Sequence, residues 1–202
     1  AGMARPPEVF ISASGIGIYG DRGEEELHEG STLASEPGFL ADVAKAWELG
    51  TQPLADGNTR IVHLRMGMVL DQSGGALARM LLPFRLGLGG RLGNGQHWMS
   101  WIMLPDLVRV MQRALIDDEL RGPINAIAPM PVSNREFTRT LGKVLRRPTL
   151  MPVPRFVLKL LFGELTSVLL GSQRGRPQRL LEAGFKFDYA NIESALRSLL
   201  QK

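Results

Sequence analysis

The run Val9-Phe10-Ile11-Ser12-Ala13-Ser14 leads directly into Gly15-x-Gly17-x-x-Gly20. An apolar strand followed by three glycines at that spacing is how dinucleotide folds bring backbone amides against a pyrophosphate. That chemistry needs more than the glycines. A helix must open at the third one so that its N-terminal amides face the phosphates, and an acidic residue about twenty positions on must hold the ribose. Here Gly20 is followed by Asp21, Arg22, Gly23 and Glu24, Glu25, Glu26, which lack apolar periodicity and make a poor first helical turn. Glu36 stands near the acidic distance, but Pro37 and Gly38 follow it and mark a turn. The glycines therefore read as a tight backbone beside the hydroxyls of Ser12 and Ser14, and the phosphate-loop reading fails both of its checks.

Other chemistries are excluded by composition. The chain has 202 residues, no cysteine and three histidines, His28, His63 and His97, with no ligand spacing between them. Disulfides, thiol nucleophiles and thiolate metal sites are absent, and no metal centre is expected. A net charge of +4 permits an anionic ligand without demanding nucleic acid. Arg174, Arg176 and Arg179 lack the interleaved aromatics that base stacking needs, so no nucleic-acid partner is expected. The longest apolar stretch, residues 154 to 170, is broken by Arg155, Lys159, Gly163 and Glu164, and no membrane association is expected. The N-terminal residues do not resemble a signal peptide, and the expected compartment is cytoplasmic.

The elements that must position any site follow from periodicity. Strands are predicted at 8–12, 60–70, 98–102 and 122–128, and helices at 37–50, 76–83, 104–115, 134–145, 154–170, 178–183 and 190–200. Asp106 lies in a first helical turn, and Ser133 with Glu136 fits a capping box. Alternating strands and helices predict an α/β fold with a mostly parallel sheet.

Five segments in order, SASGIGIYGD, FLADVAKAWE, LRMGMVLDQSGGALARMLLPFRLGLGGRLGNGQHWMSWI, NAIAPMPVSNREF and GSQRGRPQRLLEAGFKF, resemble the atypical extended short-chain dehydrogenase/reductases of the epimerase family protein group. That group is also labelled nucleoside-diphosphate-sugar epimerase. The resemblance runs from about Val9 to the end, and from about Pro148 it covers the group's C-terminal domain of unknown function. It implies the C-terminal half of a Rossmann-type doubly wound parallel sheet, residues 1–128 with a substrate-loop insertion at 71–100, followed by a small, mostly helical C-terminal domain, residues 129–202. The cofactor implied is NADP or NAD, with binding expected to need an N-terminal phosphate-gripping half that this chain lacks. The partners implied are a small, nucleotide-sugar-like substrate and a second copy of the chain in a homodimer.

The same resemblance assigns site residues. Ser14 matches the serine that polarises the substrate oxygen, with Ser12 and Gly15 beside it against the nicotinamide. The plain alternative is that both serines satisfy backbone groups at a strand end. Arg65, Met66, Gly67 and Met68 match a strand end lying against nicotinamide, although core packing explains the alternation equally well. The family's usual Tyr-x-x-x-Lys dyad is absent. Tyr19 is followed at the fourth position by Gly23, and Phe39 or Leu40 stands where the tyrosine belongs, with Lys45 unpaired on that helix. Proton transfer would then fall to Tyr19 or His97. Gln96, Trp98 and Trp101 flank His97 as substrate contacts, and Arg79, Arg85 and Arg91 suit an anionic or diphosphate group. An NAD(P)-dependent oxidoreductase or epimerase and a catalytically degenerate NADP-binding scaffold both remain open.

Overall fold

The computed structural model describes residues 6–36, 38–55, 57–163 and 165–201. In chain order, β1 (Val9–Gly15) runs into a 3-10 turn (Ile16–Tyr19), β2 (Glu26–Leu27), α1 (Phe39–Leu49) and α2 (Gln52–Ala55). There follow β3 (Arg60–Met66), β4 (Met68–Leu70), α3 (Gly75–Arg85), β5 (Trp98–Met99), β6 (Trp101–Met103), α4 (Leu104–Ile116) and β7 (Gly122–Ala126). The chain closes with β8 (Val132–Ser133), α5 (Asn134–Leu145), α6 (Arg155–Phe162), α7 (Leu165–Leu170), β9 (Arg174–Gly175), α8 (Gln178–Glu182) and α9 (Ile192–Leu200).

The central sheet is parallel, in the order β1-β3-β7. Alternation along a strand gives it two unlike faces. Ile11, Val62, Leu64, Met66, Ile124 and Ala126 pack with Leu107, Val110 and Ala114 of α4. The opposite face carries Ser14, Arg65 and Asn125, which the register places side by side across the three strands. No glycine turn opens an α-helix at Gly20. The 3-10 turn ends there, at φ 75°, and the next helix among the described residues is α1. A second core forms where α3, α5 and α9 enclose Leu77, Phe84, Trp101, Phe137, Leu141 and Leu196. Among the described residues no helix is long and apolar enough to cross a membrane.

The predicted single strand at 60–70 is two strands in different sheets, because the chain breaks at Gly67. β3 stays in the central sheet, while β4 pairs in parallel with β6. The predicted strand at 98–102 breaks likewise, at Ser100. β5 turns away to pair antiparallel with β8. At this crossing the Met68 amide donates to the Ser100 carbonyl at 2.8 Å. The Ser100 hydroxyl donates to the Gln173 carbonyl at 2.8 Å and accepts from the Gly175 amide at 2.9 Å. Two-residue β9 is thereby drawn onto β2, a pairing too short to leave a period in sequence. Asp106 does more than favour a helix dipole. Fully buried, its carboxylate accepts from the amides of Asp188 and Tyr189 at 3.1 and 2.9 Å and fixes the segment entering α9. Ser133 caps α5 by accepting from the Glu136 amide.

A Cβ on Gly67 would lie 2.5 Å from the Ser100 carbonyl oxygen and 2.8 Å from Ile127, closer than any real side chain approaches. Gly67→Ala should therefore cost about 1–3 kcal/mol in urea denaturation. Gly74→Ala, at a position with nothing within 4 Å, should leave stability nearly unchanged. Equal stabilities for the two variants would refute the close-packed crossing.

Candidate active site

The polar row across the sheet is closed from above by α1. Ala41 and Ala44 give this helix a small buried stripe, and Glu48 continues the stripe one turn further on. The Glu48 carboxylate meets Arg65 bidentately, Nε to Oε1 at 2.9 Å and Nη2 to Oε2 at 2.8 Å. The Ser14 hydroxyl donates to Glu48 Oε1 at 2.8 Å. The remaining Arg65 donor, Nη1, reaches the Tyr19 hydroxyl at 2.9 Å, and that hydroxyl donates to Asn125 Oδ1, also at 2.9 Å. The Asn125 amide donates to Glu29 Oε1 at 2.9 Å, and its side chain donates to the Arg176 carbonyl at 3.0 Å. His63, beside Glu48, shares a 2.8 Å hydrogen bond with the Thr51 hydroxyl.

These partnerships redefine several expected roles. Ser14 is buried and its hydroxyl donates to Glu48, which leaves it an acceptor toward any other group in this arrangement. Tyr19 is 0% exposed, and both hydrogen-bonding directions of its hydroxyl are taken. Burial, outweighing Arg65, pushes its phenol above the ordinary value. Arg65 is 4% exposed, and its donors reach Glu48 and Tyr19, so it anchors the network. Met66 and Met68 diverge into the two separate cores, and Gly67 is pressed on Ser100, so this segment offers no continuous wall to a ring. Ser12 makes only a 3.5 Å contact to the next carbonyl, and Gly15 pairs in register with Met66.

Two cavities open beside this network, and Asp21 lines both. The larger, about 840 Å³, lies between the 3-10 turn and the start of α1. Its walls include Gly17, Gly20, Gly38, Leu40 and Gly171. Leu40 stands against Gly17, and Lys45 turns away to donate to the Ala34 carbonyl at 2.6 Å, so no tyrosine–lysine pair forms on α1. The smaller cavity, about 470 Å³, is polar. Asp21, Glu24, Asn94, Gln96, His97, Arg155 and Ser172 line it. His97 Nε2 is buried with no hydrogen-bond partner among the described residues. Burial lowers the His97 pKa, opposed by the Asp21 charge, and keeps the imidazole neutral near pH 7.

The structure thus brings Gln96 and His97 into one cavity but leaves other expected contacts outside it. Trp101 is fully enclosed in the core, with its indole donating to the Met130 carbonyl at 2.9 Å. One Trp98 ring face is covered by the Arg174 guanidinium, 4.6 Å from the centroid, and its indole donates to Glu24 at 2.7 Å. Arg79 and Arg85 are exposed on α3 and line neither cavity. Sequence reasoning missed Glu48, whose signal was an acid on a buried helical stripe. It also missed Asn125, inside an apolar strand run, and Arg155, which opens α6.

Residues 153–199 match the family described as Domain of unknown function (DUF1731). The human epimerase family protein SDR39U1 (isoform 2), solved with NADPH, superposes with a TM-score of 0.94 at 32% identity, over 100% of this chain and 68% of that one. The mouse epimerase family protein SDR39U1 is 36% identical over 98% of this chain and 67% of its own length. The chain belongs to the SDR39U1 epimerase family. A chloroplastic SDR39U1 homolog from Arabidopsis thaliana is 42% identical over 96% of this chain, which spans 55% of that relative's length. Within this family framework the fold is Rossmann-like, and the hydroxyls of Ser14 and Tyr19 are held inside the protein by Arg65 and Glu48.

Breaking a buried ion pair strands a charge, so Glu48→Ala should destabilise by about 3–5 kcal/mol, while Arg65→Met with Glu48→Leu should cost well below the sum of the single changes. Additive losses in denaturant titrations would refute the coupling. Glu48 and Glu29 also carry opposite pH signs. Burial pushes Glu48 up, but Arg65 and Ser14 overcome it and hold the carboxyl below its ordinary value. The stability Glu48 contributes is thus present above the ordinary carboxylate value and lost as pH falls through the lowered one. For Glu29, burial prevails over the Asn125 amide and the pKa is raised, with Oε2 unpartnered. Its folded state keeps a proton the unfolded chain has released, so its contribution falls as pH rises through the raised window. Glu29→Gln should therefore gain on the wild type as pH rises above the ordinary carboxylate value, and a pH-independent gap would contradict this.

Proposed function

We propose that this chain forms the substrate side of an NAD(P)-dependent oxidoreductase or epimerase in which His97 replaces the missing tyrosine as acid and base. One observation carries the reading: a neutral, buried imidazole whose Nε2 has no partner among the described residues lines a polar cavity. A neutral imidazole takes a proton from a substrate hydroxyl and returns it to a carbonyl oxygen near neutral pH. Asp21, Glu24, Asn94, Gln96 and Arg155 around it suit a polyhydroxylated molecule such as a sugar.

The human relative solved with NADPH supports a nicotinamide cofactor. The cleft between the 3-10 turn and α1, with Gly17, Gly20 and Gly171 beside Phe39 and Leu40 in its wall, would take the flat end of such a molecule. When bound, NAD(P) supplies hydride transfer. Gly17 and Gly20 would seat the ring, Leu40 would exclude water from one side, and His97 would hold the proton at Nε2. Pyrophosphate is not assigned to Gly15–Gly20, because a 3-10 turn stands there in place of a helix start.

The second reading, an NADP-binding regulator or scaffold without turnover, draws on the committed hydroxyls of Ser14 and Tyr19. The full-length protein separates the two when NADPH oxidation is followed against a panel of carbonyl compounds, with cofactor affinity measured in parallel. His97→Asn should lower kcat by about 10²–10⁴-fold with unchanged NADPH affinity. Tight NADPH binding with no turnover of any carbonyl would favour the scaffold. Unimpaired turnover in His97→Asn would remove the proposed acid–base role.

A further inference from the structure

A separate cavity of about 370 Å³ shares no lining residue with the His97 cavity. It is lined by Arg91, Arg135, Thr138, Arg139 and Thr149, with no carboxylate in its wall. Arg135, Thr138 and Arg139 are three and four residues apart on α5, so helical geometry places them on one face. Arg91 joins them from the 91–97 loop. A Cβ built on Gly95 would lie 3.2 Å from the Cβ atoms of both Arg91 and Arg135, so the two arginines flank one glycine. The opposite wall is held close because Arg147 donates its amide to the Gly142 carbonyl at 2.9 Å, and Thr149 packs on Gly142.

Two independent features point to a ligand. None of the three guanidinium groups pairs with a carboxylate among the described residues. Among the described residues their one hydrogen-bond partner is the Asn94 carbonyl, which Arg135 reaches at 3.3 Å. All three arginines are exposed, so water screens their mutual repulsion, and together they make the mouth of the cavity cationic. Thr138 is only 3% exposed, and its hydroxyl has no hydrogen-bond partner among the described residues, an arrangement that costs stability until something accepts or donates there. Planar guanidinium forks and a hydroxyl together match a tetrahedral dianion with several acceptor oxygens.

We propose that this cavity binds the phosphate group of a small phosphomonoester, at a site distinct from the His97 cavity. The site does not depend on the oxidoreductase reading. Binding of inorganic phosphate and of glycerol 3-phosphate to the intact chain can be measured by calorimetry at constant ionic strength with chloride as background. Saturable binding of both is expected. Arg91→Ala and Arg139→Ala should each weaken it about tenfold. Thr138→Val should weaken it without lowering the melting temperature, since it removes a buried hydroxyl that has no protein partner. Arg79→Ala, an exposed arginine on α3, should change nothing and controls for bulk charge. Absence of saturable binding, equal weakening by Arg79→Ala, or wild-type affinity in Thr138→Val would each overturn the proposal.

Discussion

The Arg65 guanidinium is the constraint around which the site side of this protein is organised. It stands in the middle strand of a three-stranded parallel sheet, buried on the face away from α4. A cation in that position is tolerable only if its donors are met. Glu48 takes two of them and Tyr19 a third, and the ring of Tyr19 lies 5.1 Å beneath the guanidinium carbon. Each acceptor belongs to a different element, so satisfying one charge fixes α1, the 3-10 turn and, through Tyr19, strand β7 relative to β3. The geometry of both cavities follows, because Gly17, Gly20 and Asp21 are placed by the turn that Tyr19 anchors.

This constraint explains where sequence reading succeeded and where it stopped. Helices with a clear apolar period, such as α4, α5 and α9, were legible, as was the end of α1 at Gly50, because burial of one stripe decides them. The strand breaks at Gly67 and Ser100 were not legible. Both lie within apolar runs, and only a close backbone approach between residues distant in sequence separates the strands. The three-strand polar row was equally hidden, since Ser14, Arg65 and Asn125 become neighbours only through register. Glycines and hydroxyls near the front were readable as a tight backbone. That the hydroxyls face inward to Glu48 and Asn125 was not, because neither partner stands at a motif distance from them.

The residues left for external chemistry are therefore those the network does not consume. Around the His97 cavity, polar side chains converge from three stretches of chain: the loop after the 3-10 turn, the 93–97 loop, and the segment carrying Arg155 and Ser172. His97 is buried there, and burial lowers its pKa. The arginine cavity has no carboxylate in its wall, whereas Asp21 and Glu24 line the His97 cavity.

The crossing at Ser100 bears on how the polypeptide can be divided. Residues 172–176 supply the Ser100 hydroxyl with its acceptor and its donor, receive the Arg22 amide on the Ser172 carbonyl at 3.0 Å, and hold the Gly20 carbonyl through Gln173 at 3.0 Å. These residues lie inside the stretch matching the domain of unknown function, yet their bonds run to the first quarter of the chain and to its midpoint. That stretch is consequently no cassette to be excised or transplanted. Its inner edge is a structural wall of the sheet-bearing part, and its removal would leave the Ser100 hydroxyl, the Arg22 amide and the Gly20 carbonyl without these partners.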